Sequence, residues 1–565
     1  MSFFEDASLV LIPSAQKTSK VYSVKPTDGT GDLTFTRSND TATRVGPDGL
    51  IEKVRTNLIL RSEAFDNASW TKSGVGTFTS AITTGFTDPT GGTNAQRWLA
   101  TIASVSDRAF IRQLATLTNG APYTISFWVK SNTASSQDIY FMFQGGAVQA
   151  TTATTSWQRI SYSATTSTTS VLVGIEAKDL AIDVLVYGFQ LEVGDVMTDY
   201  IATTTAAVSV GPVANVPRLD YLNSSCPRLL LEGQRVNKWY FSESFDNAEW
   251  LKSNVTISAN SAVSPDGYTN ADKMVDTTAN DEHRIRATTA LFIITTATTF
   301  SIFAKAAEYS RFAIANLSTS EYVKFNLSTG AVISTGANFS NAKIENYGNG
   351  WYRLSATTST SGTHGYGLLN DAGDFVFTGT GTKGVFIYGA MAEEAAYATS
   401  YIPTLGAAVT RGADAASKTG ITSLIGQTEG TIFLDFELQT TNQDMVIMNI
   451  YDAATPANGI YFYVNGSNQL QAYSDNSGTQ AAILSGVLTQ GRYKAAFAYK
   501  ANDFSFYLNG SLVGVDTSGT VPTCNALRLE NYAATPTYQE KIPVNQALLF
   551  TTRLTNAQLA ELTTI

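Results

Sequence analysis

The chain has 565 residues, 43% of them hydrophobic and only 15% charged, with a formal net charge of −10. That length exceeds one hydrophobic core, so three or four domains are expected, and the apolar content is far from the disordered class. The acidic balance and the lack of any basic run exclude nucleic acid as a partner. Cys226 and Cys524 are too few for a disulfide framework and are expected as buried free thiols. No stretch approaches the roughly 20 apolar residues of a membrane span.

Thr, Ser, Gly and Asn fill the place of the missing charges, a composition that suits short strands joined by turns. Met1 to Pro13 carries Glu5 and Asp6 where a signal peptide has basic residues, and its apolar run is short. A protein of this kind that works outside a cell is expected to leave by lysis. Residues 1–48 read as an extended N-terminal arm. Leu9–Ile12, Val21–Val24 and Leu33–Thr36 are short strand candidates separated by Pro26, Gly29 and Gly31. They are too poor in apolar residues to form a core alone.

The next 350 residues contain one unit twice. Glu52, Arg55 and Asn57, then Ser62-Glu63-Ala-Phe65-Asp66-Asn67-Ala68-Ser-Trp70-Thr-Lys72-Ser73, recur as Glu232, Arg235 and Asn237, then Ser242-Glu243-Ser-Phe245-Asp246-Asn247-Ala248-Glu-Trp250-Leu-Lys252-Ser253. Later markers recur in the same order. Ser126 to Lys130 matches Ser301 to Lys305, Trp157 and Arg159 match Trp351 and Arg353, and Tyr187-Gly188 matches Tyr388-Gly389. The spacing changes only between markers, as when loops differ and strands do not. Ile125, Phe127 and Val129 share one face of a strand, and no long helical period appears. Trp157 and Arg159 share a face, where a guanidinium on an indole is a reasonable packing unit. The expectation is an all-β chain with two repeated jelly-roll or β-sandwich domains, at 49–206 and 207–405.

Residues 406–418, rich in Ala and Gly, read as a linker. Residues 419–565 alternate cleanly in Gly430–Leu438, Gly459–Val464 and Tyr493–Lys500. Phe504–Leu508 leads through Asn509-Gly510 into Leu512–Val515, a type I′ hairpin signal. Leu554–Leu562 reads as a short helix with Thr555 as cap, Gln558 closing a capping box and Leu554 stapled onto Leu559. Strands, this hairpin and a final small helix resemble a concanavalin A-like, laminin-G-like lectin domain.

Several ordered motifs carry a further resemblance. They are Asp6 to Pro13, Lys20 to Pro26, Gly31 to Arg37, Ala42 to Val45 with Asp48 to Glu52, and Asn215 to Tyr221 running through Cys226-Pro227 to Arg235. Together they resemble head-fibre or head-spike proteins of tailed phages of Bacteroides-type bacteria, over about residues 5–260; Val236 to Tyr240 departs from the family's usual T-N-L-L. Related modules occur in phage tail fibres. The resemblance implies a virion protein exposed on the particle surface, assembled as a homotrimer. It implies attachment to the capsid or a capsid accessory protein through the arm, with Phe3, Phe4, Leu9, Leu11 and Ile12 as the attachment residues. The lectin-like end then points outward, toward host-surface glycans. A tail fibre recognising host glycans is the alternative.

Catalysis and metal binding are not expected, and no cofactor is implied. The two histidines, His283 and His364, are expected on the surface or in loops, without the partners of a triad or a zinc site. Asp435 and Glu437 sit two apart on one strand face, the spacing a glycan hydrolase would need. Ile432, Leu434, Phe436 and Leu438 take the opposite, inward face, so these carboxylates are expected simply to face solvent. Trp70, Trp98, Trp128, Trp157, Trp250 and Trp351 are candidates for stacking on a pyranose. The matched pairs Trp70/Trp250 and Trp157/Trp351 are read as core residues. No ligand-binding residue is assigned.

Overall fold

Two-residue alternation builds nearly everything. In the strand Pro122–Ser131 the side chains of Tyr123, Ile125, Phe127 and Val129 enter a core, and Trp128 and Lys130 point the other way. The computed structural model describes residues 3–143, 149–178, 181–288, 291, 292, 294, 296–439, 441–529 and 541–565. It is all-β: three sandwiches of antiparallel strands, with two short α-helices and one 3-10 turn among the described residues.

The first sandwich has one sheet in the order Gln158–Thr165, Pro122–Ser131, Ile182–Val193, Ala95–Ile102, Phe78–Phe86. Its other sheet runs Gln149–Ala153, Gln137–Phe143, Ser170–Lys178, Arg108–Thr116, Thr71–Val75. The second repeats both orders strand for strand. One sheet is Trp351–Thr358, Thr298–Ala306, Gly384–Glu394, Ala271–Asp276, Val255–Ala262, and the other is Glu321–Asn326, Arg311–Asn316, Gly362–Leu368, Arg284–Ala287, Trp250–Ser253. The second adds Ala331–Thr335 and Phe339–Asn346 at the sheet edges, the insertion that stretches the spacing of the later markers.

The repeated motif is a latch. The Asn57 amide donates to the carbonyls of Phe189 and Ile201 and accepts from the backbone N–H groups of Ile59 and Leu191. Asn237 does the same with Ala390, Ile402, Trp239 and Ala392. Glu63 accepts from the hydroxyls of Tyr187 and Tyr200, and Glu243 from those of Tyr388 and Tyr401. Lys72 and Lys252 donate to the carbonyls of Asp66, Asn67 and of Asp246, Asn247. Gly188 and Gly389 sit at φ 62° and 60°, where the pairing register with the neighbouring strand shifts. A Cβ there would meet the Trp128 or Phe303 ring at 2.9 Å, so both the backbone angle and the close approach require glycine.

The third sandwich has an eight-stranded and a nine-stranded sheet, and it overturns the expected organisation. The arm is part of it. Leu9–Leu11 pairs with Ile542–Phe550, in register Leu9 with Leu549, and Leu33–Thr36 pairs with Ala415–Thr419. Leu9, Leu11, Val21, Leu33 and Phe35 are buried in the same core as Ile432, Phe462 and Phe497. The segment before the second repeat contributes too, as Arg228–Leu231 pairs with Ile542–Phe550. The expected attachment residues Leu9 and Leu11 are therefore core residues, and Phe3 and Ile12 pack on a small cluster with Leu554 and Leu559; Phe4 alone of the five is exposed. An arm and a tip at opposite ends are excluded, because residues 9–36 and 419–565 share one sandwich.

The expected linker is likewise built in. Val409–Arg411 pairs with Arg235–Asn237, Ala415–Thr419 is a sheet strand, and Arg411 and Asp414 are fully buried. The hairpin at Asn509-Gly510, with φ 49° and 80°, and the capped helix Asn556–Thr563 stand where the sequence puts them. Cys524 is buried, whereas Cys226 is exposed.

Both histidines are interior, not surface, residues. His364 lies on the strand Gly362–Leu368, stacked at 4.4 Å on Phe300, and neither ring nitrogen has a hydrogen-bond partner. Its Gly-rich neighbourhood is a strand because Gly365 and Gly367 lie hard against backbone and Phe375.

Leu9→Ala removes a fully buried side chain and should lower the stability of the third sandwich by about 2–5 kcal/mol, read by urea unfolding with limited proteolysis. A change below about 0.5 kcal/mol would mean that the N-terminal strands are not part of that core. Burial lowers the His364 pKa to about 4 from 6.5, so the ring is neutral in the fold while an unfolded chain binds the proton near pH 6.5. The second sandwich should hold full stability above pH 6.5 and lose it as pH falls from 6.5 toward 4. His364→Leu should flatten that window in pH-resolved thermal melts.

Candidate functional site

A polar and aromatic row crosses the outer face of the nine-stranded sheet. In Gly459–Val464 the side chains of Ile460, Phe462 and Val464 enter the core, which puts Tyr461 and Tyr463 outside. Leu470 and Ala472 likewise put Gln471, Tyr473 and Asp475 outside, and Leu527 and Leu529 put Arg528 outside. Cross-strand register then aligns Ser417, Arg528, Asn449, Tyr461, Tyr473 and Ala482 in one line over six strands. The Tyr461 and Tyr473 rings stack at 5.1 Å and 16°, with the Tyr463 ring 6.3 Å from Tyr473. The Tyr461 hydroxyl donates to Asp475 at 2.6 Å.

This row is marked by what its polar groups lack. Both amide atoms of Asn449, Gln471 Oε1, Asp475 Oδ1 and Arg528 Nε are buried without a hydrogen-bond partner. Among the described residues no carboxylate pairs with Arg528. An unsatisfied buried polar group costs about 1–3 kcal/mol, and such groups are scarce in folded proteins. Five such atoms, buried on neighbouring strands of one face, lack partners. Tyr473, Gln471, Asp475 and Arg528 are half-buried, and Asn449 is covered between Arg528 and Tyr461. The half-buried members of the row, Tyr463, Tyr473, Gln471, Asp475 and Arg528, offer aromatic faces, an amide, a carboxylate and a cation, while Asn449 and Tyr461 are buried.

The expected residues fall out as follows. Asp435 and Glu437 do not face open solvent. Asp435 is buried and accepts from Arg492 at 2.9 and 2.6 Å and from Asn545 at 2.9 Å, and Glu437 meets Arg228 at 2.5 Å. Each is thus an ion-pair partner of an arginine. Among the described residues no group of His, Cys, Asp and Glu is placed to hold a metal, and no helix is long and apolar enough to cross a membrane.

Five of the seven tryptophans are buried and donate their indole N–H inside the fold: Trp70 to Arg61, Trp98 to Ser80, Trp239 to Tyr366, Trp250 to Phe241 and Trp351 to Val263. Trp128 and Trp157 are only half-buried, and neither indole N–H has a partner among the described residues. Trp157 is therefore not the core residue that its match with Trp351 implied. Arg159 lies over Trp128 at 4.6 Å, on the neighbouring strand, and not over Trp157.

No family model matches this chain, and no curated protein matches it in sequence. Some solved structures are similar to it over about a quarter of its length. The Ruminococcus gnavus IT-sialidase CBM40 has a TM-score of 0.22 and 11% identity, covering 24% of this chain and 84% of that one. A botulinum neurotoxin type C structure, whose cell entry depends on two ganglioside molecules, has a TM-score of 0.23 and 11% identity over 27% and 39%. The NanB sialidase from Streptococcus pneumoniae has a TM-score of 0.23 and 12% identity over 26% of each.

Asn449→Leu exchanges an unpartnered amide for an apolar side chain of similar size. It should leave the third sandwich as stable as before or stabilise it by about 1 kcal/mol, measured by urea unfolding. A loss of more than about 1 kcal/mol would show that the amide is bonded in solution.

Proposed function

We propose that this protein is a non-enzymatic glycan-binding component of a phage particle, displayed on the virion surface, and that its third sandwich recognises the sugar. The observation that carries the reading is the row of unpartnered polar atoms beside the Tyr461 and Tyr473 stack. Sugars present an apolar ring face and a rim of hydroxyls, and binding sites answer with aromatic faces and a few well-placed polar groups. Arg528, lacking a carboxylate partner, adds a donor whose desolvation is not yet compensated. The virion setting rests on the motifs of residues 5–260 that resemble head-fibre proteins. Capsid attachment is kept as part of the proposal, but through a surface other than the buried Leu9 and Leu11. A tail-fibre position and a homotrimer fit the same motifs. Hydrolysis is disfavoured because Asp435 and Glu437 are both neutralised by arginines.

The test is a glycan array probed with the full-length protein, followed by titration of the strongest ligand. Arg528→Ala and Tyr473→Ala should each weaken binding at least about tenfold with an unchanged melting temperature, and no reducing sugar should be released. Mass spectrometry of purified particles should find the chain. Array silence, or variants that bind as the parent does, would overturn the glycan reading; sugar release would make the protein an enzyme.

A further inference from the structure

The two repeats share a fold but differ in what covers one face. In the second sandwich the outer side of the sheet containing Thr298–Ala306 and Trp351–Thr358 is closed. Phe303 and Trp351 have essentially no exposure and form a cluster with Val45, Ile51 and Leu222. Val45 and Ile51 belong to the hairpin of Thr43–Val45 and Ile51–Lys53, which precedes the first sandwich and folds over onto the second. The Ile51 N–H donates to Pro265 and the Tyr221 N–H to Val45. Tyr347, from the inserted strands, adds an edge-on contact to Phe303 at 4.9 Å.

In the first sandwich the matching positions are Trp128 and Trp157, and no described segment plays the part of that hairpin. The residues between Gln149–Ala153 and Gln158–Thr165 are four, too few to supply a counterpart of Tyr347. Trp128 is nonetheless held in place. Arg159 stacks on its face, anchored by hydrogen bonds to the Thr198 carbonyl at 2.6 Å and the Ser126 hydroxyl at 2.9 Å. Tyr187 and Tyr200 brace its edges at 5.7 and 5.3 Å. The Asp199 side chain, 85% exposed, stands beside Tyr200 at the rim.

We propose that this open face is a second saccharide-binding surface, on which Trp128 and Trp157 take the apolar faces of neutral pyranose rings. The choice of occupant follows from the two indole N–H groups. The closed face of the second sandwich receives a peptide hairpin because its indole is already satisfied by Val263 and what remains is apolar. The open face leaves two half-exposed indoles whose N–H groups have no protein acceptor among the described residues, and a hydroxylated ring offers an acceptor and apolar cover at once. Trp128, pinned before binding, also lowers the ordering cost of the complex. The face belongs to a different domain from the row of Arg528 and Tyr473, so either surface can fail without the other.

The experiment titrates the full-length protein with neutral hexaoses of the gluco, xylo, manno and galacto series, reading tryptophan fluorescence and calorimetric heat. At least one hexaose should bind at roughly millimolar affinity or better and shift the emission. Trp157→Ala should weaken it at least about tenfold, and Trp157→Tyr should retain most of it. Melting temperatures establish that each variant folds. The proposal is overturned if no hexaose shifts the emission, if Trp157→Ala binds like the parent, or if Tyr473→Ala alone abolishes binding. An emission that instead shifts with protein concentration alone would make the face a contact between copies and would overturn it as well.

Discussion

Five charged side chains without any solvent contact tie the N-terminal segment to the segments that flank the second sandwich. Arg218 pairs with Glu232 at 2.8 Å and also with Asp414; Arg411 pairs with Glu232 at 2.7 Å, and Arg37 with Asp414 at 3.0 Å. These residues come from the end of the arm, the segment before the second repeat and the segment after it. Burial pushes the Glu232 carboxyl up, but Arg411 and Arg218 outweigh it and hold the pKa far below the usual carboxylate range. Such a cluster survives out of water only when its remaining lone pairs and N–H groups are bonded. Here Ser400 donates twice to Glu232, the Glu232 N–H donates to Asp414, and the carbonyls of Thr43, Pro212, Val213 and Gly233 take up further guanidinium protons, leaving only the Nε atoms of Arg218 and Arg411 without a partner among the described residues. Removing one partner strands the others in an apolar setting, at a typical loss of about 3–5 kcal/mol. The pairing fixes which segments meet more than it adds net stability.

That constraint explains what could be read from the chain and what could not. The two repeats were legible because the latch needs particular side chains. An Asn must replace four backbone bonds, a Glu must accept from two tyrosines, and a glycine must accept a left-handed angle against a ring. The integration of the arm was not legible, because Leu9 finds its partner at Leu549 and no local pattern reports a pairing of that separation. Poverty in apolar residues gave no hint of where the arm would pack; the core it joins is at the other end of the chain. The supposed linker failed similarly. Its small residues permit the close packing around Arg411 and Asp414, and only that pair of charges hinted at burial.

The binding row was hidden in plain sequence. Asn449 lies in Met-Val-Ile-Met-Asn-Ile-Tyr and Arg528 in Ala-Leu-Arg-Leu, each a lone polar residue in an apolar strand. Alternation places Arg528 on the outer face, whereas Asn449 reaches it only through the register shift between Val446 and Met448, which puts Met445, Ile447, Met448 and Ile450 all in the core. What the sequence does not contain is the register that brings them into line with Tyr461 and Tyr473, since register depends on the pairing of distant strands. The tryptophans show the converse limit. Matching Trp157 with Trp351 identified equivalent positions correctly, yet equivalence of position says nothing about what a neighbouring segment covers.

The uneven cover has a topological cause. The strands that precede the first repeat serve the third sandwich, the hairpin of Thr43–Val45 and Ile51–Lys53 serves the second, and the strands before the second repeat, Arg218–Asp220 and Arg228–Leu231, serve the third. These leader strands reach forward, past the unit they introduce, to a later one. Val208–Val210 does reach back, to Arg55–Asn57, and Leu405 packs on the first core, but among the described residues no such hairpin lies over Trp128 and Trp157, so that outer sheet keeps an aromatic face that its twin has lost. Divergence between the copies therefore did not require a new fold or a new loop. It required only that a leader segment skip the unit next to it, and the same forward reach that ties these segments through Arg37, Arg218 and Arg411 leaves one sandwich open.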